Sequence, residues 1–175
     1  NRWRLWRCVR LQAFGLCAGL ASGLVARSLS LNMASIFRRP RTLEELNAHS
    51  RNTAVSHLGI SIIEIGEDFL RGTMPVDQRT KQPYGLLHGG SSAMLAETLA
   101  SVAANMCVEK EGQQAVGLEL NCNHVRAVTQ GVVTGTARPV HVGRKTQVWD
   151  IRIEDERGKL CCVSRLTLAV IETAP

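Results

Sequence analysis

A single acidic residue lies in the middle of a long apolar segment. Residues 82–108 read QPYGLLHGGSSAMLAETLASVAANMCV, and Glu97 is the only charged residue between Gly89 and Glu109. Apolar residues recur there at three- and four-residue spacing without a proline, which predicts one long helix. This pattern predicts burial on most faces of the helix, and a carboxylate kept in such a place is a candidate general base or nucleophile.

The start of the same helix offers a second chemical group. Gly89 and Gly90 permit a ligand to approach the backbone closely, and the first N–H groups of a helix have no partner within it. Those donors can stabilise a developing oxyanion. Glu97 lies eight residues beyond Gly89, which is roughly 12 Å along a helix axis. Either Glu97 acts independently of the helix start, or a second, antiparallel copy of the chain brings its own Glu97 there, as in a two-fold dimer.

Three further polar residues accompany these groups, and each has a structural alternative. Ser101, one turn beyond Glu97, is expected to hydrogen-bond the carboxylate or a water, or else to be a small packing residue. Gln82 would hold a water or a carbonyl group, or serve only its loop. His88 would lie near the reacting group or simply cap the helix. For Glu97 itself, the alternative is a solvent-exposed stripe shared with Ser101 and Asn105.

These motifs together resemble a known family, the hot dog-fold acyl-CoA thioesterases of the 4-hydroxybenzoyl-CoA thioesterase group. The resemblance rests on the spacing of Gln82, His88-Gly89-Gly90, Ala96-Glu97-Thr98 and Ser101. Four longer segments are similar to the branch containing 1,4-dihydroxy-2-naphthoyl-CoA hydrolase and the enterobactin-pathway proofreading thioesterase: MPVDQRTKQPYGLLHGG, NCNHVRA, HVGRKTQVW and KLCCVSRLTLAVI. The likeness covers about residues 36–172 and is specific as a set.

The resemblance implies hydrolysis of an acyl-CoA thioester without cofactor or metal. In that reaction the Gly89 amide polarises the carbonyl, and Glu97 of the neighbouring chain is the nucleophile or the general base. The acyl group is expected to be aromatic and similar to 1,4-dihydroxy-2-naphthoyl. The resemblance also implies a cytoplasmic homotetramer, a dimer of site-forming dimers, in menaquinone biosynthesis. The alternatives are proofreading of a misacylated carrier protein, a hot dog dehydratase or hydratase, and a non-catalytic acyl-CoA binding module.

Basic groups at predicted strand ends are candidates for binding the phosphates of coenzyme A. A solvated basic turn explains Arg144 and Lys145 equally well. The family pattern makes His124 a second-rank active-site residue, although a lone histidine after an apolar strand is usually structural. We expect substrate or coenzyme A to be bound by His124, Arg126, His141, Gly143, Arg144 and Lys145.

Charge and cysteine content exclude several other classes. The chain of 175 residues has a net charge of +6, but five arginines and no acidic residue or lysine lie in residues 1–32, so the rest carries only +1. A near-neutral body with four aromatic residues lacks the basic stripe and stacking surfaces of a nucleic-acid binder. The six cysteines include no Cys-x-x-Cys pair, which indicates free thiols in a reducing compartment and no metal site.

Residues 1–32 form a basic, apolar head that differs in composition from the body. Their apolar stretch, residues 11–26, has 16 residues and is short for a membrane span, which needs roughly 20. The head is expected to be either a signal-like or transit-like segment or upstream sequence read through before a start at Met33, and the second is favoured. Residues 33–175 are then expected to form the folded domain.

The pattern of the body predicts an α+β fold. A capping box at Thr42 predicts a short helix to His49. Strands are predicted at residues 58–65, 69–76, 115–125, 131–141, 145–154 and 159–171, with a hairpin turn at 155–158. One long helix against a run of antiparallel strands is an α+β layer, and the resemblance implies the hot dog arrangement, in which the sheet wraps around the helix.

Overall fold

The computed structural model describes residues 35–173, so the predicted head at residues 1–32 lies outside the described residues. Three helices and six strands follow in the order α1 Leu43–His49, α2 Ala54–His57, β1 Ser61–Ile65, β2 Leu70–Pro75, α3 Gly89–Cys107, β3 Gln113–His124, β4 Val132–Val142, β5 Thr146–Glu154 and β6 Leu160–Glu172. Among these helices none is long and apolar enough to cross a membrane.

The six strands form one antiparallel sheet around the long helix. Their spatial order is β1-β2-β4-β5-β6-β3, with β1 and β3 at the edges. Helix α3 contacts five of these strands, β2 to β6, which requires the sheet to curve around it. The predicted α+β hot dog arrangement is therefore confirmed.

Two glycines on neighbouring strands let α3 lie close to the sheet. Gly72 of β2 pairs with Gly135 of β4, and a Cβ atom at either position would lie 2.7 Å from a methyl group of Leu99. Leu99 is fully buried, so its side chain fills the space that these two residues leave empty. Replacing such a leucine by alanine typically costs about 2–5 kcal/mol of stability.

A buried polar network fixes α3 against the middle of the sheet. The Gln147 side-chain amide donates to the Ala104 carbonyl over 3.1 Å, and its oxygen accepts from the Trp149 indole N–H over 3.0 Å. Gln147 is 1% exposed and Trp149 is fully buried. Every polar atom of this network is therefore paired where water cannot reach it, as burial of polar groups requires.

Most predicted element boundaries are confirmed within a few residues. Helix α1 has the predicted capping box, in which Thr42 and Glu45 exchange hydrogen bonds, and β2 ends at Pro75. At the predicted β5–β6 turn, the carboxylate of Asp155 accepts hydrogen bonds from the backbone N–H groups of Arg157 and Lys159. The predicted start of the first strand was wrong. It was placed at residue 58, but helix α2 ends at His57 and β1 begins only at Ser61.

Candidate active site

The N-terminus of α3 is capped by a histidine. Nδ1 of His88 accepts a hydrogen bond from the Gly90 N–H over 2.8 Å, and the His88 carbonyl accepts from Ser91 and Ser92. The structural alternative for His88, a helix cap, is thus what the structure shows. Within residues 35–173 no acceptor is paired with the Gly89 N–H, so capping by His88 leaves that donor free.

A second histidine lies across the helix start. Nε2 of His124, the last residue of β3, would be only 2.8 Å from a Cβ atom added at Gly89. Only glycine therefore leaves the imidazole where it stands. The structure brings His88, Gly89 and His124 together at one end of the sheet, where an N–H donor and an imidazole border the same space.

The loop before α3 is held by hydrogen bonds at both sides. His88 N–H donates to the Thr80 carbonyl and Leu87 N–H to the Val128 carbonyl, over 2.8 and 2.7 Å. Thr80 is buried, and its hydroxyl donates to the Pro75 carbonyl over 2.7 Å. The backbone entering α3 is therefore anchored to the ends of β2 and of the segment after β3.

The side-chain oxygen of Gln82 stabilises this loop. Its side-chain oxygen accepts from the Tyr84 N–H, and its carbonyl accepts from Gly85, whose φ of +82° favours glycine. Tyr84 itself is 89% exposed. The Gln82 oxygen is thus occupied, and the side-chain NH₂ group is what remains for a water or a carbonyl.

Glu97 lies on the face of α3 that the sheet leaves uncovered. It is exposed in this chain, so the predicted burial is wrong for the single chain. The reason is that the sheet covers only the helix face carrying Leu95, Leu99 and Ala103, which are fully buried. The carboxylate points to the edge strand, where its Oε1 lies 3.0 Å from the position of a Cβ atom on Gly117.

The strand beside Glu97 is locally irregular. The register of β3 against β6 shifts between Gly117 and Glu119, which leaves the Leu118 side chain 65% exposed. Bulges of this kind occur beside active sites, where they redirect side chains. Because Gly117 has no side chain, β3 leaves room for the carboxylate of Glu97.

Ser101 and Asn105 differ in role although they follow Glu97 along the helix. No hydrogen bond joins the Ser101 hydroxyl to Glu97 among the bonds of residues 35–173, so that predicted contact is absent from this chain. Asn105, assigned above to a possible solvent stripe, instead exchanges two hydrogen bonds of 2.9 Å with the backbone of Ala115. It ties the C-terminal half of α3 to β3.

Four of the predicted coenzyme A residues line one cleft of about 590 Å³ at the β4–β5 turn. We call it the basic cleft; it is lined by Lys110, Gln113, His141, Gly143, Arg144, Lys145 and Thr146. The ring of His141 packs against Gly143, where a Cβ atom would be 2.5 Å from its Nε2. Lys110 was missed by the sequence analysis, since its turn after α3 gives no sign that it meets β4.

Arg126 does not line this cleft, so the sequence prediction was wrong in grouping it with His141, Gly143, Arg144 and Lys145 in a single chain. Its side chain donates to the Leu160 carbonyl at the start of β6, close to the β5–β6 turn. The nine residues of β5 separate that turn from the basic cleft, which is roughly 25 Å. Arg126 lies instead beside His124 and the start of α3.

Strand order along the chain could have predicted this separation. Only seven residues lie between the end of β3 and the start of β4, so β4 starts at the end of the sheet where His124 lies. The β4–β5 turn must then lie at the opposite end, because β4 crosses the whole sheet in between. The same reasoning places the C-terminus of α3 near the basic cleft and its N-terminus near Arg126.

The fold and the site define a class of protein that the relatives confirm. Residues 84–162 match the Thioesterase superfamily. The chain is 54% identical over 136 residues to 1,4-dihydroxy-2-naphthoyl-CoA hydrolase of Escherichia coli K12, covering 78% of this chain and 99% of that protein. It is also 54% identical over 136 residues to the proofreading thioesterase EntH of Cronobacter turicensis, covering 78% of this chain and 98% of that protein.

A solved structure supports the same family assignment as these two relatives. Thioesterase HI1161 of Haemophilus influenzae superposes with a TM-score of 0.77 at 54% identity, covering 80% of this chain and 97% of that one. The chain therefore belongs to the thioesterase superfamily, and the protein is a thioester hydrolase. Membership of this superfamily favours thioester hydrolysis over the two alternatives raised by the sequence, a dehydratase or hydratase and a non-catalytic binding module.

Proposed function

We propose that the protein hydrolyses an aromatic acyl-CoA similar to 1,4-dihydroxy-2-naphthoyl-CoA, releasing the free acid and coenzyme A. Two relatives of equal identity carry different names, one for this hydrolysis and one for proofreading, so identity alone does not choose between them. The basic cleft supports coenzyme A, because three cationic side chains, Lys110, Arg144 and Lys145, meet there and suit phosphate groups.

The observation that carries the mechanism is the separation of the two reacting groups within one chain. Gly89 and Glu97 lie on one continuous helix, roughly 12 Å apart along its axis. A thioester carbonyl cannot accept from the Gly89 N–H and meet the Glu97 carboxylate of the same chain. Both groups can serve one substrate only if the partner's Glu97 approaches this chain's Gly89.

A two-fold dimer through the β3 edge would provide that arrangement. Strand β3 is an edge strand of 12 residues, and the side chain of its Leu118 is 65% exposed. A two-fold axis perpendicular to α3 reverses the helix, so the C-terminal end of one copy lies beside the N-terminal end of the other. The same operation brings the partner's Arg144 toward Arg126, so both can bind one coenzyme A.

In such a site the steps follow from the placed groups. The Gly89 N–H and the helix N-terminus polarise the carbonyl and stabilise the oxyanion. The partner's Glu97 either attacks the carbonyl carbon or removes a proton from a water that attacks it. The carbon–sulfur bond then breaks, and coenzyme A leaves as its thiolate. Gln82, through its free NH₂ group, and Ser101 would position the water or the carboxylate.

The proposal is tested by thiol release from matched thioesters. Aromatic acyl-CoAs, the same acyl groups on a carrier protein, and their 3′-dephospho-CoA analogues are compared at equal concentration. We expect kcat/KM to be highest for the aryl-CoA and to fall about tenfold or more without the 3′-phosphate, since a charge-assisted phosphate contact is lost. Preference for the acyl carrier protein would contradict the proposed substrate and support proofreading.

A further inference from the structure

A cavity on the uncovered side of α3 has no role in the site described so far. It measures about 510 Å³ and lies between α1, the C-terminal half of α3 and the start of β3. Ligand pockets typically measure roughly 300–1,000 Å³, so it is large enough for a bicyclic aryl group. We call it the α1–α3 cavity.

The cavity begins one helical turn from the proposed reacting carboxylate. Ser101 contributes to its wall and follows Glu97 by four residues, which is about 6 Å along the helix. An acyl group whose carbonyl lies at Glu97 therefore reaches the cavity with its first ring. The basic cleft is a separate space, so the cavity remains available when coenzyme A occupies the cleft.

The floor of the cavity is apolar. Met106 is 3% exposed, and Leu46 and Val102 pack against the same core cluster. All three contribute to the cavity wall. The side chain of Asn105, which also lines the cavity, is hydrogen-bonded to the Ala115 backbone. The body of a ligand in this cavity is therefore expected to be apolar.

The rim of the cavity carries a cationic side chain, Arg41, that is not paired with any other group in the described chain. Arg39 donates to the backbone carbonyls of Gln113 and Lys110, and the Glu45 carboxylate accepts from the Thr42 N–H in the capping box. Arg41 has no ion pair or side-chain hydrogen bond within residues 35–173, and it lines the cavity as an exposed side chain.

His49, at the last turn of α1, lies on the same rim and can donate a hydrogen bond. Because Arg39 is engaged locally, Arg41 and His49 are the basic side chains on this rim that remain for a ligand. A cation beside an apolar floor matches an acyl group whose apolar body ends in an anionic group.

We propose that the α1–α3 cavity binds the acyl group and that Arg41, assisted by His49, selects acyl groups carrying a carboxylate or another anionic oxygen at the far end. This inference rests on the proposed acyl-CoA hydrolysis at Glu97. It names Arg41, just before α1, and His49, at the end of α1, as determinants of acyl specificity, although both lie far in sequence from every group placed in the reaction.

The test compares two thioesters that differ only in the distal charge, benzoyl-CoA and 4-carboxybenzoyl-CoA, by thiol release. The variants are Arg41→Gln, which removes the charge, and Arg41→Glu, which reverses it. Arg51→Gln is the matched control, because Arg51 is also exposed but does not line the cavity. Thermal unfolding confirms that each variant is folded.

For the wild-type protein we expect higher kcat/KM with 4-carboxybenzoyl-CoA. Arg41→Gln should lower that value about threefold to fivefold and leave benzoyl-CoA within twofold, because a single charge-assisted contact at an exposed side chain is lost. Arg41→Glu should reverse the preference, and Arg51→Gln should change neither substrate.

Two results would overturn the inference in different ways. If benzoyl-CoA is hydrolysed but Arg41→Gln changes both substrates equally or neither, the acyl group does not meet Arg41 and only this inference is wrong. If neither aryl thioester releases thiol, the proposed substrate class is itself wrong, and the inference falls with it.

Discussion

Replacing Gly89 by alanine tests the geometry of the helix start. Its added Cβ atom would be 2.8 Å from Nε2 of His124, whereas ordinary contacts begin at 3.4 Å and extend to 4 Å. The imidazole must therefore move by 0.6 Å at least and by about 1 Å for a comfortable contact. His124 is exposed at a strand end, so it can rotate away without disturbing the core.

The expected result is loss of activity without loss of stability. Alanine is favoured over glycine in a helix by up to about 1 kcal/mol, so the melting temperature should stay the same or rise slightly. A displacement of about 1 Å at a reacting centre can cost up to about 100-fold in rate. We therefore expect kcat to fall by roughly 10- to 100-fold in a thiol-release assay with an aryl-CoA.

His124→Ala separates the two possible causes of that loss. If the methyl group acts by moving the imidazole, the double variant Gly89→Ala with His124→Ala should be no slower than His124→Ala alone. A further loss in the double variant would mean that the methyl group obstructs the thioester directly. Turnover of Gly89→Ala within twofold of the wild type would refute a role for close approach at this residue.

Three other outcomes are expected. Gln147→Leu should lower the free energy of unfolding by about 1–3 kcal/mol, since it leaves the buried Trp149 N–H without an acceptor. Chemical denaturation measures this loss, and adding Trp149→Phe, which removes the unpaired N–H, should recover part of it. Burial raises the pKa of Cys107 to about 11, so only about one thiol in a thousand is ionised at pH 8. Iodoacetamide should therefore label Cys107 only after denaturation, and labelling of the native protein detected by mass spectrometry would contradict its burial. A shortened chain beginning at Met33 should match the full chain in activity and oligomeric state, and unfolding of that chain would show that residues 1–32 belong to the core.

Local signals in the sequence predicted the elements well. The apolar spacing around Glu97 gave the helix Gly89–Cys107, and the Thr42 capping box gave the helix Leu43–His49. These features depend on residues a few positions apart, so a single sequence contains them. Helix α2 was missed, because its four residues carry no apolar period long enough to recognise.

Features that depend on distant parts of the chain were predicted less well. Exposure of Glu97 depends on which face of α3 the sheet covers, and the apolar composition of the helix gives no sign of this. The contact between His124 and Gly89 joins residues 35 positions apart, and only pairing of β3 with β6 sets it. The grouping of Arg126 with Arg144 overlooked the direction of β4, which the strand order would have supplied.

Hybrid dimers test whether one site takes Gly89 from one chain and Glu97 from another. Glu97→Ala is mixed with a variant damaged at the helix start, Gln82→Ala with His88→Ala, after each is shown to be nearly inactive. Two affinity tags isolate or quantify the mixed species. In a hybrid, one site receives its Glu97 and its helix start from undamaged residues, while the other site is doubly damaged.

Random exchange makes about half of the dimers hybrids, each with one intact site of two. We expect thiol release from the mixture to return to roughly a quarter of the wild-type rate. Tagged hybrids that show no activity above their parents would contradict a shared site and place Gly89 and Glu97 in separate roles.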